Sequence, residues 1–143
     1  AITEDQAAIE ACVRAVYSIY IERIGKQPAP MLADYQALIA RGVVYVLLDE
    51  ANLCGVLVMM RQGEGMFVEN IAVDPRFQGH GLGHALMAFV EERARMEHLS
   101  AIRLYTHELM AENLVFYRKL GFEEEARYKQ DGYRRVFLRK RLA

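Results

Sequence analysis

Cysteine is scarce: only Cys12 and Cys54 occur in 143 residues, and neither belongs to a Cys-x-x-Cys pair. That spacing excludes a disulfide-dense scaffold, and buried free thiols in a reducing compartment are expected rather than a disulfide. An excess of one charge is also lacking. Eighteen Lys and Arg against nineteen Asp and Glu leave a formal net charge of -1, which gives no global pull toward nucleic acid or an anionic membrane. No apolar run approaches membrane-spanning length and no basic-then-apolar leader opens the chain, so a cytoplasmic protein is expected. There is no internal repeat, linker or low-complexity segment.

What is present describes an ordinary globular chain. Hydrophobic residues make up 53% and charged ones 26%, and the length suits one domain spanning 1–143 that can close its core without metal or disulfide. A monomer or homodimer is expected. Thr3-Glu4-Asp5-Gln6 reads as a capping box with Thr3 as cap and Gln6 reaching back. Ile9, Val13, Val16, Tyr17, Tyr20 and Ile24 then recur at helical spacing up to Gly25. Gly25-Lys26-Gln27-Pro28-Ala29-Pro30 is the one proline-rich loop, either a connector or a holder of specificity residues, and a second helix is expected from Met31 to Ala40.

The periodicity then changes. Val43–Leu48 and Leu53–Met60 read as a hairpin joined by Asp49-Glu50-Ala51-Asn52, and Met66–Val73 as a third strand ended by Asp74-Pro75. After a helix whose buried stripe is read as Leu82, Ala85, Leu86, Phe89, Val90 and Met96, Ala101–Thr106 alternates as a strand. Strand, helix, strand implies a parallel pair. A short helix, Asn113–Leu120, stops at Gly121, and Phe122–Tyr128 pairs with Gly132–Leu142. Arg134, Arg135, Arg139, Lys140 and Arg141 read as the solvated face of that last strand, and Glu123-Glu124-Glu125 as part of an exposed one.

Glycines at 79, 81 and 83 open the long helix. Glycine permits positive φ and close approach of backbone to a ligand, and a helix N-terminus offers unpaired N–H groups and partial positive charge. The stretch is thus either a phosphate cradle or a glycine-rich tight turn. It is not a Walker A loop, having no Gly-Lys-Ser/Thr, and its Gly-x-Gly-x-Gly misses the dinucleotide fingerprint. His107-Glu108-Leu109-Met110-Ala111 starts like a zinc motif but ends in alanine, and His80 and His84 lack a third ligand, so no metal is expected.

Two motifs resemble those of the GNAT family of N-acetyltransferases. Gln78, Gly81 and Gly83 fit its Gln/Arg-x-x-Gly-x-Gly/Ala signature, and Phe116-Tyr117-Arg118-Lys119-Leu120-Gly121-Phe122 looks like its Phe-Tyr-x-Lys-x-Gly-Phe element. The likeness runs from Val43 to about Arg139. It implies an α/β fold with a mixed, mainly antiparallel sheet flanked by helices, splayed at the cofactor site. The family's first strand is short or missing here, because only Ala1-Ile2 precede Thr3.

The resemblance also implies acetyl-coenzyme A as donor and a primary amine, small molecule or peptide, as acceptor, with direct transfer. The residues fit such a donor. Backbone from Gln78 through Gly79, His80, Gly81, Leu82 and Gly83 to His84 suits a pyrophosphate, with Arg76 and His80 either adding charge or lying at the surface. The end of Ile71-Ala72-Val73 suits the amide chain of pantetheine and supplies an N–H for the oxyanion. The family's acid is Tyr117, which otherwise reads as a core tyrosine, and its asparagine would be Asn113, one turn before Tyr117 instead of two.

Glu69 is the candidate base, directly or through water, since alternation sets it on one face with Ile71 and Val73 in an otherwise apolar strand. A structural bond to Asn70 or an arginine is the other account, and His107 and Glu108 are reserve bases. Tyr17, Tyr20, Arg23 and the Pro28–Pro30 loop are expected on the acceptor side. A non-catalytic acyl-coenzyme A sensor, or an enzyme using a longer acyl group, is the alternative.

Overall fold

A computed structural model describes residues 1–142. Five α-helices, α1 (Gln6–Tyr17), α2 (Ile19–Ile24), α3 (Tyr35–Ala40), α4 (Leu82–Met96) and α5 (Ala111–Lys119), accompany six strands. These are β1 (Val44–Asp49), β2 (Asn52–Gln62), β3 (Gly65–Val73), β4 (Ala101–His107), β5 (Glu123–Gln130) and β6 (Tyr133–Arg141), in sheet order β1-β2-β3-β4-β6-β5. The β3–β4 pair is parallel, as a strand–helix–strand crossover requires, and β1–β2, β4–β6 and β6–β5 are antiparallel. The described chain forms two compact units, residues 1–60 with 69–89, and residues 61–68 with 90–142, so the boundary falls inside β2, β3 and α4.

In the first unit the helical start differs from the expected box. Thr3–Asp5 form a 3₁₀ turn, and the reciprocal pair is one residue earlier: the Ile2 N–H donates to the Asp5 carboxylate at 2.9 Å and the Asp5 N–H to the Ile2 carbonyl at 2.9 Å. Asp5 is the acid three residues from Ile2, and its short carboxylate plays toward the Ile2 amide the part expected of Gln6 toward Thr3. Ile9, Cys12, Val13, Tyr17 and Tyr20 are buried, but the helix divides at Ser18, where the Ile21 N–H turns to the Ser18 carbonyl three residues back. The second expected helix also divides. Ala29–Leu32 are a 3₁₀ turn, Ala33 is extended, and the Asp34 side chain caps α3 by accepting from the Ala37 N–H at 3.1 Å. Both cysteines are free and buried, and burial, helped by Asp74, pushes the Cys12 thiol up to about 12.

Strand β3 ends where Asp74 takes over. Its N–H bonds to the Cys54 carbonyl of β2 at 2.8 Å, while its carboxylate accepts from the Arg76 N–H at 2.9 Å and the Arg76 guanidinium at 3.1 and 3.2 Å. Asp74 thereby caps the 3₁₀ turn Pro75–Phe77 that leads to the glycines.

In the second unit β6 runs between β4 and β5 rather than along an edge. The expected solvated face is therefore only partly solvated: Arg135 is buried with its guanidinium 4.1 Å from the Tyr105 ring centre, and Arg139 and Lys140 pair with Glu125 and Glu91. Glu123–Glu125 lie exposed on the edge strand β5. The buried residues of α4 are Leu86, Met87, Val90 and Ala94, whereas Ala85 and Met96, expected in the stripe, are exposed.

These contacts set the stability of the fold in two testable ways. Leu138 is fully buried on β6, so Leu138→Ala should cost about 2–5 kcal/mol in urea unfolding. Arg76 holds the Asp74 carboxyl below its usual range, so the ion pair's contribution is present above the unfolded-state value of about 4 and is lost as pH falls through the lower folded value. Asp74→Asn should lower stability at neutral pH and flatten that acid limb in melts run from pH 7 to 3.

Candidate active site

Within the first unit the loop after Phe77 has the form of an anion cradle. Gly79 and Gly81 sit at φ 86 and 76 with open space where a Cβ would stand, so it is backbone conformation and not crowding that calls for glycine. The Ala85 N–H is bonded to the Gly81 carbonyl at 3.0 Å, and the amides of Leu82 and Gly83 lie ahead of that first helical bond. His80 and His84 are exposed on this loop and helix start. Arg76 is exposed but committed to Asp74. The Gln78 side chain folds back, donating from Nε2 to the Val73 carbonyl at 3.0 Å.

That bond bears on the end of β3. The Ala72 carbonyl lies 3.2 Å from where a Cβ on Gly55 of β2 would stand, and the Asp74 N–H bonds to β2, so backbone at 72 and 74 faces β2. By alternation the backbone of Ile71 and Val73 is directed to the other side. Their carbonyls are taken by the Tyr17 hydroxyl at 3.0 Å and by Gln78, and their N–H groups share that edge. The parallel ladder to β4 covers Gly65–Val68 against Ala101–Leu104, and Glu69–Val73 lie beyond it.

Along β3, Val68, Asn70 and Ala72 are buried while Phe67, Glu69, Ile71 and Val73 are half-buried, the alternation expected of them. Glu69 Oε2 is itself buried and has no hydrogen-bond partner. Satisfying such an oxygen is worth about 1–3 kcal/mol, more when it is charged. The Asn70 amide is bonded elsewhere, its Oδ1 accepting from Tyr17 at 2.7 Å and its Nδ2 donating to Tyr35 at 3.0 Å. Tyr17 and Tyr20 are buried, and the Arg23 guanidinium lies 4.9 Å from the Tyr20 ring centre.

The second unit holds Tyr117 and Asn113 on α5. Gly121, at φ 97, turns the chain so that the Phe122 N–H bonds back to the Tyr117 carbonyl at 3.1 Å. Phe122 and Phe116 then meet the Tyr117 ring edge-on at 5.6 and 5.3 Å, which is the packing reason for aromatic residues at these spacings. Tyr117 is buried, and burial pushes its phenol above the ordinary value, keeping it in the proton-bearing form. The Asn113 amide nitrogen is directed to Thr106 Oγ1 at 3.4 Å and Met110 Sδ at 3.5 Å. Of the reserve bases, His107 Nδ1 accepts from the Leu109 N–H at 3.1 Å, and Glu108 pairs with Arg134 at 3.2 Å. Among the described residues no three His, Cys, Asp or Glu side chains gather as a metal site, and no helix is long and apolar enough to cross a membrane.

Sequence reasoning missed Tyr35 altogether and treated Asn70 only as a partner for Glu69. A signal existed for Asn70: it occupies the buried phase of β3 between Val68 and Ala72, where a polar side chain must find partners. None existed for Tyr35, whose hydroxyl meets a strand 35 residues away.

Known proteins share this fold. Residues 40–124, more than half of the chain, match the model of the Acetyltransferase (GNAT) domain. An IAA acetyltransferase of Azospirillum brasilense is 31% identical over 96 residues, 65% of this chain, which spans 63% of that protein's length. Among solved structures, the PaiA N-acetyltransferase of Thermoplasma acidophilum in complex with coenzyme A superposes with a TM-score of 0.83 at 16% identity, over 99% of this chain and 96% of that one. A putative GNAT acetyltransferase from Desulfovibrio desulfuricans gives 0.80 at 21% identity, over 99% and 95%. The chain belongs to the GNAT acetyltransferase family.

Proposed function

We propose that this chain, acting as one domain over residues 1–143, moves an acetyl group from acetyl-coenzyme A directly to a primary amine of a small molecule or peptide. The observation that carries this reading is Glu69 Oε2, a buried acceptor with no partner on a strand of a GNAT domain, as a group awaiting an amine proton would be. The amides at Gly81–Gly83 and the dipole of α4 support the donor half, since both favour a pyrophosphate.

In this mechanism Glu69 takes a proton from the ammonium, directly or through water, and the freed amine attacks the thioester carbonyl. The N–H of Ile71 or Val73 donates to the developing oxyanion. When the tetrahedral intermediate collapses and the C–S bond breaks, Tyr117 gives its phenolic proton to the thiolate, and the nitrogen releases its second proton to solvent to leave the neutral amide. Solvent then returns a proton to Tyr117 and removes one from Glu69. Burial holds the Tyr117 phenol protonated and makes it a weaker acid, so its transfer to a thiolate, ordinarily about 8.5, requires that the thiolate form in the same water-poor surroundings, which raise its basicity too.

Acetyl-coenzyme A should release heat on titration and raise Tm, and Gly81→Ala, strained by about 1–2 kcal/mol at positive φ, should bind it roughly 5–30-fold more weakly. Absence of heat and of thermal stabilisation at millimolar ligand would remove the donor. Glu69→Gln should lower kcat by about a hundredfold or more across an amine panel with coenzyme A affinity kept. Tyr117→Phe should slow transfer more than it weakens binding, and an unchanged kcat would acquit that residue. Binding without thiol release with every amine would favour a sensor instead.

A further inference from the structure

Three buried side chains that the mechanism does not use form one hydrogen-bonded line through the first unit. Tyr17 ends α1, Tyr35 begins α3 and Asn70 lies in β3; they are 5%, 3% and 5% exposed, a rare concentration of polar atoms in a core. The direction of each bond is determined by the next. The Tyr35 hydroxyl spends its single proton on the Pro30 carbonyl at 2.6 Å, so its oxygen accepts, and the group facing it at 3.0 Å must be the Asn70 NH₂. Asn70 Oδ1 is then turned to Tyr17, whose proton is shared between that oxygen at 2.7 Å and the Ile71 carbonyl at 3.0 Å.

The line has two physical effects. First, the loop between Gly25 and Asp34 is tied to β3 by bonds that have direction as well as strength: Pro30 to Tyr35, and Tyr35 to Asn70. Apolar side chains of the same volume would fill the space without specifying how the loop is registered on the strand. Second, none of these donor groups bonds Oε2 of Glu69, the residue next to Asn70, and that oxygen is left without a partner.

We propose that Asn70, clamped by Tyr17 and Tyr35, is a positioning residue for the amine acceptor: it registers the 25–34 loop on β3 beside Glu69, and the Tyr17 that it holds donates to the Ile71 carbonyl. The proposal rests on the acetyltransferase reading above, with the loop and Glu69 bordering the acceptor. Tyr35 is the place to test it, because phenylalanine keeps the ring and removes only the hydroxyl that joins Asn70 to Pro30.

The experiment compares wild type, Tyr35→Phe and, as a control on the edge strand, Tyr128→Phe. It measures backbone hydrogen exchange, acetyl-coenzyme A affinity by calorimetry, and KM and kcat for an amine that the wild type acetylates. In Tyr35→Phe, exchange at residues 25–34 should rise about tenfold with α4 unchanged. The acceptor KM should rise about fivefold or more, while kcat at saturating amine and the acetyl-coenzyme A Kd stay within about twofold. Tyr128→Phe should change none of these. Uniform acceleration of exchange across both units would make Tyr35 a merely structural residue, and a looser loop with an unchanged acceptor KM would likewise overturn the proposal. If the wild type acetylates no amine, the parent reading fails by itself. The loop-specific exchange pattern then decides the Asn70–Tyr35 tie separately.

Discussion

Successive side chains on a β-strand must point to opposite faces, and β3 makes two neighbours of that rule carry opposite fates. Asn70 falls in the buried phase and is bonded at both ends of its amide by two phenols; Glu69, half-buried in the other phase, keeps an oxygen with no partner. Neither environment is available without the other, because shifting the strand by one residue would bury the carboxylate and release the amide. The backbone obeys a second alternation of its own, so that Ala72 and Asp74 face β2 while Ile71 and Val73 face away. A strand end with aligned N–H groups and an adjacent carboxylate oxygen without a partner is the chemical core of the proposed site.

The turn after β3 carries that constraint into the glycine loop. Asp74 uses its N–H to finish the pairing with β2 and its carboxylate to start the 3₁₀ turn, which delivers Gln78 back onto the Val73 carbonyl. Gly79 and Gly81 then take positive φ, and α4 begins. The cradle is thus built by short-range bonds within a dozen residues. Tyr117 is positioned just as locally, by Gly121 and the return of Phe122 to its ring.

This locality explains which features were legible in the residues alone. The order of strands and helices, the parallel β3–β4 pair, the hairpins and both motifs depend on period, turn residues and glycine, all of which act over a few residues. Less was legible where a short helix meets a loop. The divisions at Ser18 and at Ala33–Asp34 arise from one 3₁₀-type bond and one cap, and neither interrupts the apolar period that suggested continuous helices. The burial of Arg135 was invisible for another reason: β6 lies between β4 and β5, and sequence order alone suggests a strand at the end.

Residues by themselves therefore determined the class of fold, the glycine-opened helix, the aromatic packing around Tyr117 and the odd carboxylate at Glu69, because each is specified within one element and its flanking turn. Tertiary structure alone decided where side-chain protons go. That Tyr17 bonds Asn70 and Ile71 across more than fifty residues, that Tyr35 and not Glu69 takes the Asn70 amide, and that Arg76 is spent on Asp74 are outcomes of packing. Hydrogen-bond partners are chosen by distance and direction in space, and no periodicity along the chain encodes them.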